Sequence, residues 1–314
     1  LETFVNFWVL DERNVWYAAA LAAAFRFGYR GKRIFSGAEV EGEGVGFIRP
    51  HADPVALRRN QRDFSLMAER LLMVQDAAMV ETYESKSEQF RRWGAWMPLT
   101  VRITALDAAL EFLAAAPYPL VSKADVGASS VNVRILKDAT EAARHVHEVF
   151  GPGVIVHHCA GGGGGVNAKS VQHDYVLLSE FIPHEITWRV NAIGNARAVF
   201  MRHNYPDRPV AQTGNTVPVK VMTPQVESLL EYADAFFAEV GTRWCALDIL
   251  WDAAIMEWRL LESSLAWPWP SPGDCNAATL FRSPYTWIDM WDCMFSEIEN
   301  GAWAYKPSPQ GAAA

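Results

Sequence analysis

Residues 120–133 constrain this chain more than any other stretch. Leu120-Val121-Ser122-Lys123 alternates like a strand and ends on a lysine, and Val131-Asn132-Val133 begins a second strand. Between them lies a run of mostly small residues that includes Gly127, Ala128, Ser129 and Ser130. The pattern predicts a hairpin whose tip can fold over an anion. Small residues present backbone N–H groups with little bulk, the serines add hydroxyls, and Lys123 adds a point charge. Small residues at a hairpin tip equally make an ordinary turn, so the meaning of this stretch depends on what the rest of the chain supplies.

Two acids far along the chain matter most. Leu247-Asp248-Ile249-Leu250 and Leu260-Leu261-Glu262-Ser263-Ser264 read as neighbouring strands joined by a turn. A carboxylate in such apolar company rarely stays unpaired. Asp248 and Glu262 can therefore point to one face and share a divalent cation, because Mg²⁺ is usually held by one or two carboxylates with phosphate oxygens and water completing the shell. The plainer alternative is that each acid ends a strand and faces water.

The rest of the chain is read around these parts. With 314 residues, half of them apolar and a fifth charged, it can form one large or two to three small domains. A net charge of −8 argues against a broad nucleic-acid surface. The four cysteines, Cys159, Cys245, Cys275 and Cys293, form no Cys-x-x-Cys pair and read as reduced thiols, so a cytoplasmic protein is expected. No apolar run is long enough to span a membrane, and no signal peptide is expected at the N-terminus, which opens on Leu1 rather than methionine.

The first eighty residues alternate between strand and helix. Strands are expected at 4–10, 33–35 and 45–48. One helix is capped by Asn14 and closed by Gly28; another runs from Asp53-Pro54 through Leu57, Phe64, Met67, Leu71 and Val74. The glycines at 42–46 do not open a helix and are no dinucleotide fingerprint. A boundary is expected near 81–86. A helix carrying Phe90 and Trp93 and ending at Gly94 follows, then a strand at 101–104, a helix at 107–116, the hairpin, and a helix at 138–150 capped by Asp138. The run Gly161–Gly165 reads as a mobile loop, either a lid or an idle insertion. His157 and His158 beside Cys159 read as a strand end, because no second pair lies at metal-ligand spacing. A strand at 175–182 breaks at Pro183-His184. Residues 185–193 then alternate, with Glu185, Thr187, Arg189 and Asn191 on one face, and 196–203 return after a Gly194-Asn195 turn. A helix at 224–240, the hairpin of the two acids, a rigid Trp-Pro loop at 267–273 and a helix at 285–298 complete the chain. The tryptophans from 267 to 303 read as core under that last helix, or alternatively as a stacking surface for a macromolecule.

The order of these parts resembles the ATP-grasp superfamily over residues 83–272, and is similar to the D-alanine–D-alanine ligase and ribosomal-protein glutamate ligase families. Lys86 looks like the family's first nucleotide-contacting lysine. Lys123 with Gly127, Ser129 and Ser130 looks like the second lysine and the phosphate loop. Glu180, Phe181 and Ile182 resemble the adenine hinge, and Glu185 falls where an acid binds ribose. Asp248 and Glu262 match the metal carboxylates, with Ser264 as a third position; Arg189 and Arg202 fall where the family keeps cations for the transferred phosphate. Two positions depart from the family's pattern. Ala124 replaces a proline, and Ser264 replaces an asparagine, which weakens a second metal site.

The resemblance implies an α/β (α+β) ATP-grasp fold. An N-terminal α/β domain (1–82) would precede two α+β subdomains (83–174 and 175–305) that clasp ATP, with a tail at 306–314. It implies an Mg²⁺- or Mn²⁺-dependent ligase that activates a carboxylate as an acylphosphate and passes it to an amine or another nucleophile. The carboxylate and the amine are not identified, and a homodimer is left open. The alternatives are a nucleotide-binding regulator without catalysis, or a ligase acting on a peptide, protein or nucleobase.

Overall fold

The computed structural model describes residues 5–11, 16–49, 54–127, 130, 132–158, 168–205, 208–265, 280–283 and 290–303. Asn14, Asp53, Ala128, Ser129, Cys159, Cys275, the glycine run and the Trp-Pro loop lie outside these residues.

The N-terminal part is a parallel sheet. Its strands, β1 (Asn6–Leu10), β2 (Arg30–Ile34), β3 (Gly44–Ile48) and β4 (Leu71–Met73), lie in the order β2-β1-β3-β4. β1 reads as a continuous apolar run because both of its faces are covered; Phe7, Trp8, Val9 and Leu10 are all buried. Helices α1 (Tyr17–Arg26) and α2 (Pro54–Ala68) supply the crossovers. The start of α1 is capped from the end of β1: Asp11 Oδ2 accepts from the Trp16 and Tyr17 amides at 2.7 and 3.1 Å.

The helix expected to run through Leu71 and Val74 stops at Ala68, and Leu71–Met73 is instead an edge strand. Gly46 explains the difference. A side chain there would meet Met73 Sδ at 2.5 Å and Leu71 Cδ1 at 2.9 Å, so the bare glycine leaves room for β4 to lie alongside. The Val74 amide then donates to the Gly46 carbonyl at 2.9 Å. Three residues are too few for periodicity to separate a strand from a helix.

After α3 (Ala77–Thr82) and α4 (Lys86–Trp93) comes an antiparallel sheet. It is built from β5 (Thr100–Ile103), β6 (Leu120–Lys123), β7 (Val133–Leu136) and β10 (Val176–Glu180), in the order β5-β10-β6-β7. Helices α5 (Leu106–Ala115) and α6 (Ala139–Phe150) pack on it and close a small core of Ala109, Leu113, Leu136, Val146 and Leu178. Asp138 caps α6 as expected, accepting from the Glu141 amide at 2.8 Å. β8 (Val154–His158) and β9 (Ala168–Gln172) form a separate two-stranded ribbon.

The third sheet is antiparallel: β11 (Ile186–Ile193), β12 (Ala196–Tyr205), β13 (Arg208–Pro218), β14 (Trp244–Asp252) and β15 (Glu257–Ser264). Their order is β13-β12-β11-β14-β15, with β16 (Leu280–Phe281) paired to β12. β13 and β16 were not expected, since the polar 208–218 stretch carries no clean alternation and β16 has two residues. α7 (Pro224–Val240) starts on Thr223, whose hydroxyl accepts from the Val226 amide, and ends on left-handed Gly241.

The last helix, α8 (Met290–Glu299), joins this sheet to the N-terminal one in a single core. Phe47 packs edge-on against Trp244 at 5.2 Å and Trp291 at 5.0 Å. Trp303 donates from its indole to the Val74 carbonyl. The tryptophans of the C-terminal segment that are described, Trp291 and Trp303, are therefore core.

Candidate active site between two cores

Register places the acids. Asp248 on β14 stands opposite Glu262 on β15, so both carboxylates leave the same face. Immediately beyond, Ile249 pairs with Leu260, and Leu261 is left as a bulge. The Leu261 carbonyl receives the Lys123 ammonium at 3.5 Å, which draws the end of β6 to the strand that carries Glu262.

On the other side of β14, Arg189 stands opposite Asp248. Its guanidinium lies 3.3 Å from Asp248 Oδ1, and Arg202 on β12 donates to both Asp248 oxygens at 3.1 Å. One carboxylate thus serves two buried arginines. The Nε of each has no hydrogen-bond partner among the described residues. Burial, with Arg202 alongside, pushes the Arg189 guanidinium down to about 10.

Lys86 opens α4. Its ammonium donates to the Gly127 carbonyl at 2.8 Å and to Glu262 at 3.3 Å. Burial alone would pull this lysine down; Glu262 and then Glu84 outweigh it and hold it above the ordinary lysine value. Lys123 shifts the other way, depressed by burial and by Lys86 against the opposing pull of Glu262 and Asp248. The start of α4 is tied to the hairpin loop by Asp125, whose carbonyl accepts from the Lys86 amide and whose carboxylate accepts from the Ser87 amide. Gly127, at φ +132°, sits so close to Asn132 that a Cβ would lie 2.0 Å from Asn132 Nδ2. Asn132 in turn bonds the Val126 and His157 carbonyls, which seats the loop on the β8–β9 ribbon.

Lys86, Lys123, Gly127, Arg189, Arg202, Asp248 and Glu262 therefore meet around one cleft. Ser264 lies two residues beyond Glu262, opposite Ala246, on the same strand face. Ser129 lies outside the described residues, and Ser130 has left-handed backbone at φ +57°. The hinge candidates lie at and just beyond the end of β10, which pairs with the Lys123 strand β6. The Glu180 side chain accepts from the Leu99 amide at 2.7 Å, the Ile182 carbonyl accepts from the His184 ring, and Glu185 is exposed.

Two contributors escaped the sequence reading. Glu84, buried beside Lys86, has no motif to mark it. Gln89, fully buried on α4, bonds both the N–H and the C=O of Ser263 at 3.0 Å. Nothing local distinguishes it from a helix-surface glutamine.

Among the described residues no group of three or more metal-type ligands assembles. The donor set is two carboxylates on one face, which suits a hard cation that takes its other oxygens from phosphates and water. No described helix is long and apolar enough to cross a membrane.

No family model and no curated protein matches the sequence. Solved structures match its fold. A RimK domain ATP-grasp protein from Sphaerobacter thermophilus superposes with a TM-score of 0.60 at 14% identity, over 94% of this chain and 100% of its own. The biotin carboxylase domain of Hydrogenobacter thermophilus 2-oxoglutarate carboxylase, solved with MgADP and bicarbonate, gives 0.60 at 12%, over 98% and 72%. D-alanine–D-alanine ligase from Bacillus anthracis, solved with ATP, gives 0.54 at 11%, over 96% and 97%. With three sheets in this order and these neighbours across nearly its whole length, the chain has the ATP-grasp fold.

Proposed function

We propose that this protein is an ATP-dependent ligase that activates a carboxylate by phosphorylation and transfers the acyl group to an amine or a related nucleophile. One observation carries the reading. Four cations, Lys86, Lys123, Arg189 and Arg202, converge on the two acids Asp248 and Glu262 from elements of two separate cores. A polyphosphate is the ligand such a cleft suits. Lys123 from the first antiparallel sheet and Lys86 from the start of α4 would hold phosphate oxygens. The orphaned Nε groups of Arg189 and Arg202 would take the transferred phosphate or the acylphosphate. Asp248 and Glu262, joined by Ser264, would hold Mg²⁺ or Mn²⁺, which offsets charge on the phosphates when bound. In this reading Gly127, Ser129 and Ser130 cover the phosphates, and residues 180–182 with Glu185 receive adenosine. Positioning and charge stabilisation supply most of the rate, as is general for phosphoryl transfer.

The test is calorimetric binding of AMPPNP with Mg²⁺, followed by ADP release with panels of carboxylates and amines. Lys123→Ala is expected to weaken AMPPNP by about 1.5–3 kcal/mol, the range for a charge-assisted contact. Glu262→Gln should keep much of the nucleotide affinity and lose turnover by orders of magnitude. A parent protein that does not bind AMPPNP would sink the proposal. Binding without ADP release on any substrate panel would favour a nucleotide-responsive regulator.

A further inference from the structure

Glu84 is built into the cleft at a visible cost to the fold. Its backbone lies at φ +56°, in the left-handed region that a residue with a long side chain rarely enters. The residue is only 5% exposed, and its Oε2 has no hydrogen-bond partner among the described residues. Glycine would relieve the backbone, and an apolar side chain would avoid burying a carboxylate. Stability alone favours neither feature of this residue.

What Glu84 faces gives it a use. Its Oε2 lies 4.0 Å from the Lys86 ammonium, which Glu262 approaches to 3.3 Å. Lys86 donates to the Gly127 carbonyl at 2.8 Å, and the Gly127 amide lies close enough to the Glu84 carboxylate to favour its charged form. The two side chains thus stand at the peptide groups on either side of the first residue of the small-residue loop. Without Glu84, Glu262 would be the one carboxylate within 4.0 Å of the Lys86 ammonium among the described residues. That ion pair would tighten and would compete with any cation or phosphate arriving at Glu262.

We propose that Glu84 is a positioning residue, which shares the Lys86 ammonium with Glu262 and holds the Gly127 amide in place for an incoming polyphosphate. The proposal rests on the reading of this cleft as a nucleotide site. Phosphate oxygens would take over both groups that Glu84 holds, and the strained carboxylate keeps them aligned until then.

Glu84→Gly and Glu84→Gln test it together. Glu84→Gly removes strain and charge at once; Glu84→Gln keeps the shape and removes the charge. Three measurements are compared with the parent: thermal unfolding without nucleotide, hydrogen exchange at Gly127 without nucleotide, and AMPPNP affinity with Mg²⁺. Glu84→Gly is expected to unfold at the same or a higher temperature, to exchange faster at Gly127, and to bind AMPPNP at least tenfold more weakly. Glu84→Gln should share the weakened binding. A merely structural role would move stability and affinity down together, and that outcome overturns the proposal. A parent that binds AMPPNP while both variants bind it equally well overturns the positioning role alone. A parent that does not bind AMPPNP overturns the nucleotide reading of the cleft and the positioning role with it.

Discussion

His145 shows how a single buried side chain ties helix to hairpin. Its Nε2 lies 2.7 Å from the Ser122 hydroxyl, one residue before Lys123, and its Nδ1 lies 3.3 Å from Arg134. Burial, reinforced by the Arg134 charge, pushes the imidazole down from 6.5 to about 4. The sign of the pH effect follows. Between about pH 6.5 and 4 the unfolded chain binds a proton at this site and the folded chain does not, so stability must fall as pH falls through that window. The full difference is worth about 3 kcal/mol at most. Urea unfolding of the parent and of His145→Gln at pH 7 and at pH 4.5 checks it. The variant should lose less stability on acidification than the parent, and equal losses would remove His145 as the source.

At the scale of elements, Gln89 does for β15 what a further strand would do. β15 is the edge of its sheet, and the Ser263 peptide groups face outward from it. Gln89 Oε1 accepts from the Ser263 amide, and Nε2 donates to the Ser263 carbonyl and to Thr82. A helix side chain thereby closes an exposed ladder at the residue next to Glu262. Gln89→Leu leaves two buried backbone groups without partners. A destabilisation of about 2–6 kcal/mol is expected, since each orphaned group costs about 1–3. The shift of the urea midpoint measures it; a shift below about 1 kcal/mol would mean that water replaces the amide. The same variant should lower AMPPNP affinity, because α4 also carries Lys86.

Across the whole molecule, the cleft lies where two cores meet. The N-terminal parallel sheet and the β11–β15 sheet share one core, and the sheet of β6 and β10 has its own. Lys123 belongs to the second and Glu262 to the first. A ligand held by both should therefore behave as a clamp. Mg²⁺ and AMPPNP at a hundred times Kd should stabilise the protein by about 2.7 kcal/mol from mass action alone. Hydrogen exchange should slow both in 120–127 and in 244–264. Protection confined to one of these segments would show that the nucleotide does not span the seam.

Periodicity and end signals sufficed for most of the elements. Asp138 and Thr223 start their helices by chemistry that acts within four residues, and acids embedded in apolar strands announced Asp248 and Glu262 through the cost of burying charge. Such information is local, and the sequence holds it in full. That Asp248 and Glu262 lie on neighbouring strands was also legible, but their register was not: counted from the turn Asp248 would stand opposite Leu261, and only the bulge there brings Glu262 across from it. Tertiary structure alone decided the rest. β4 exists because Gly46 leaves room beside β3, and a contact between positions 46 and 73 leaves no trace in either neighbourhood. Asp248 is shared by Arg189 and Arg202 because β11 and β12 stack beside β14. Glu84 and Gln89 draw their roles from partners at 127 and 263, and an ordinary acid or amide becomes informative only when burial and a long-range partner constrain it.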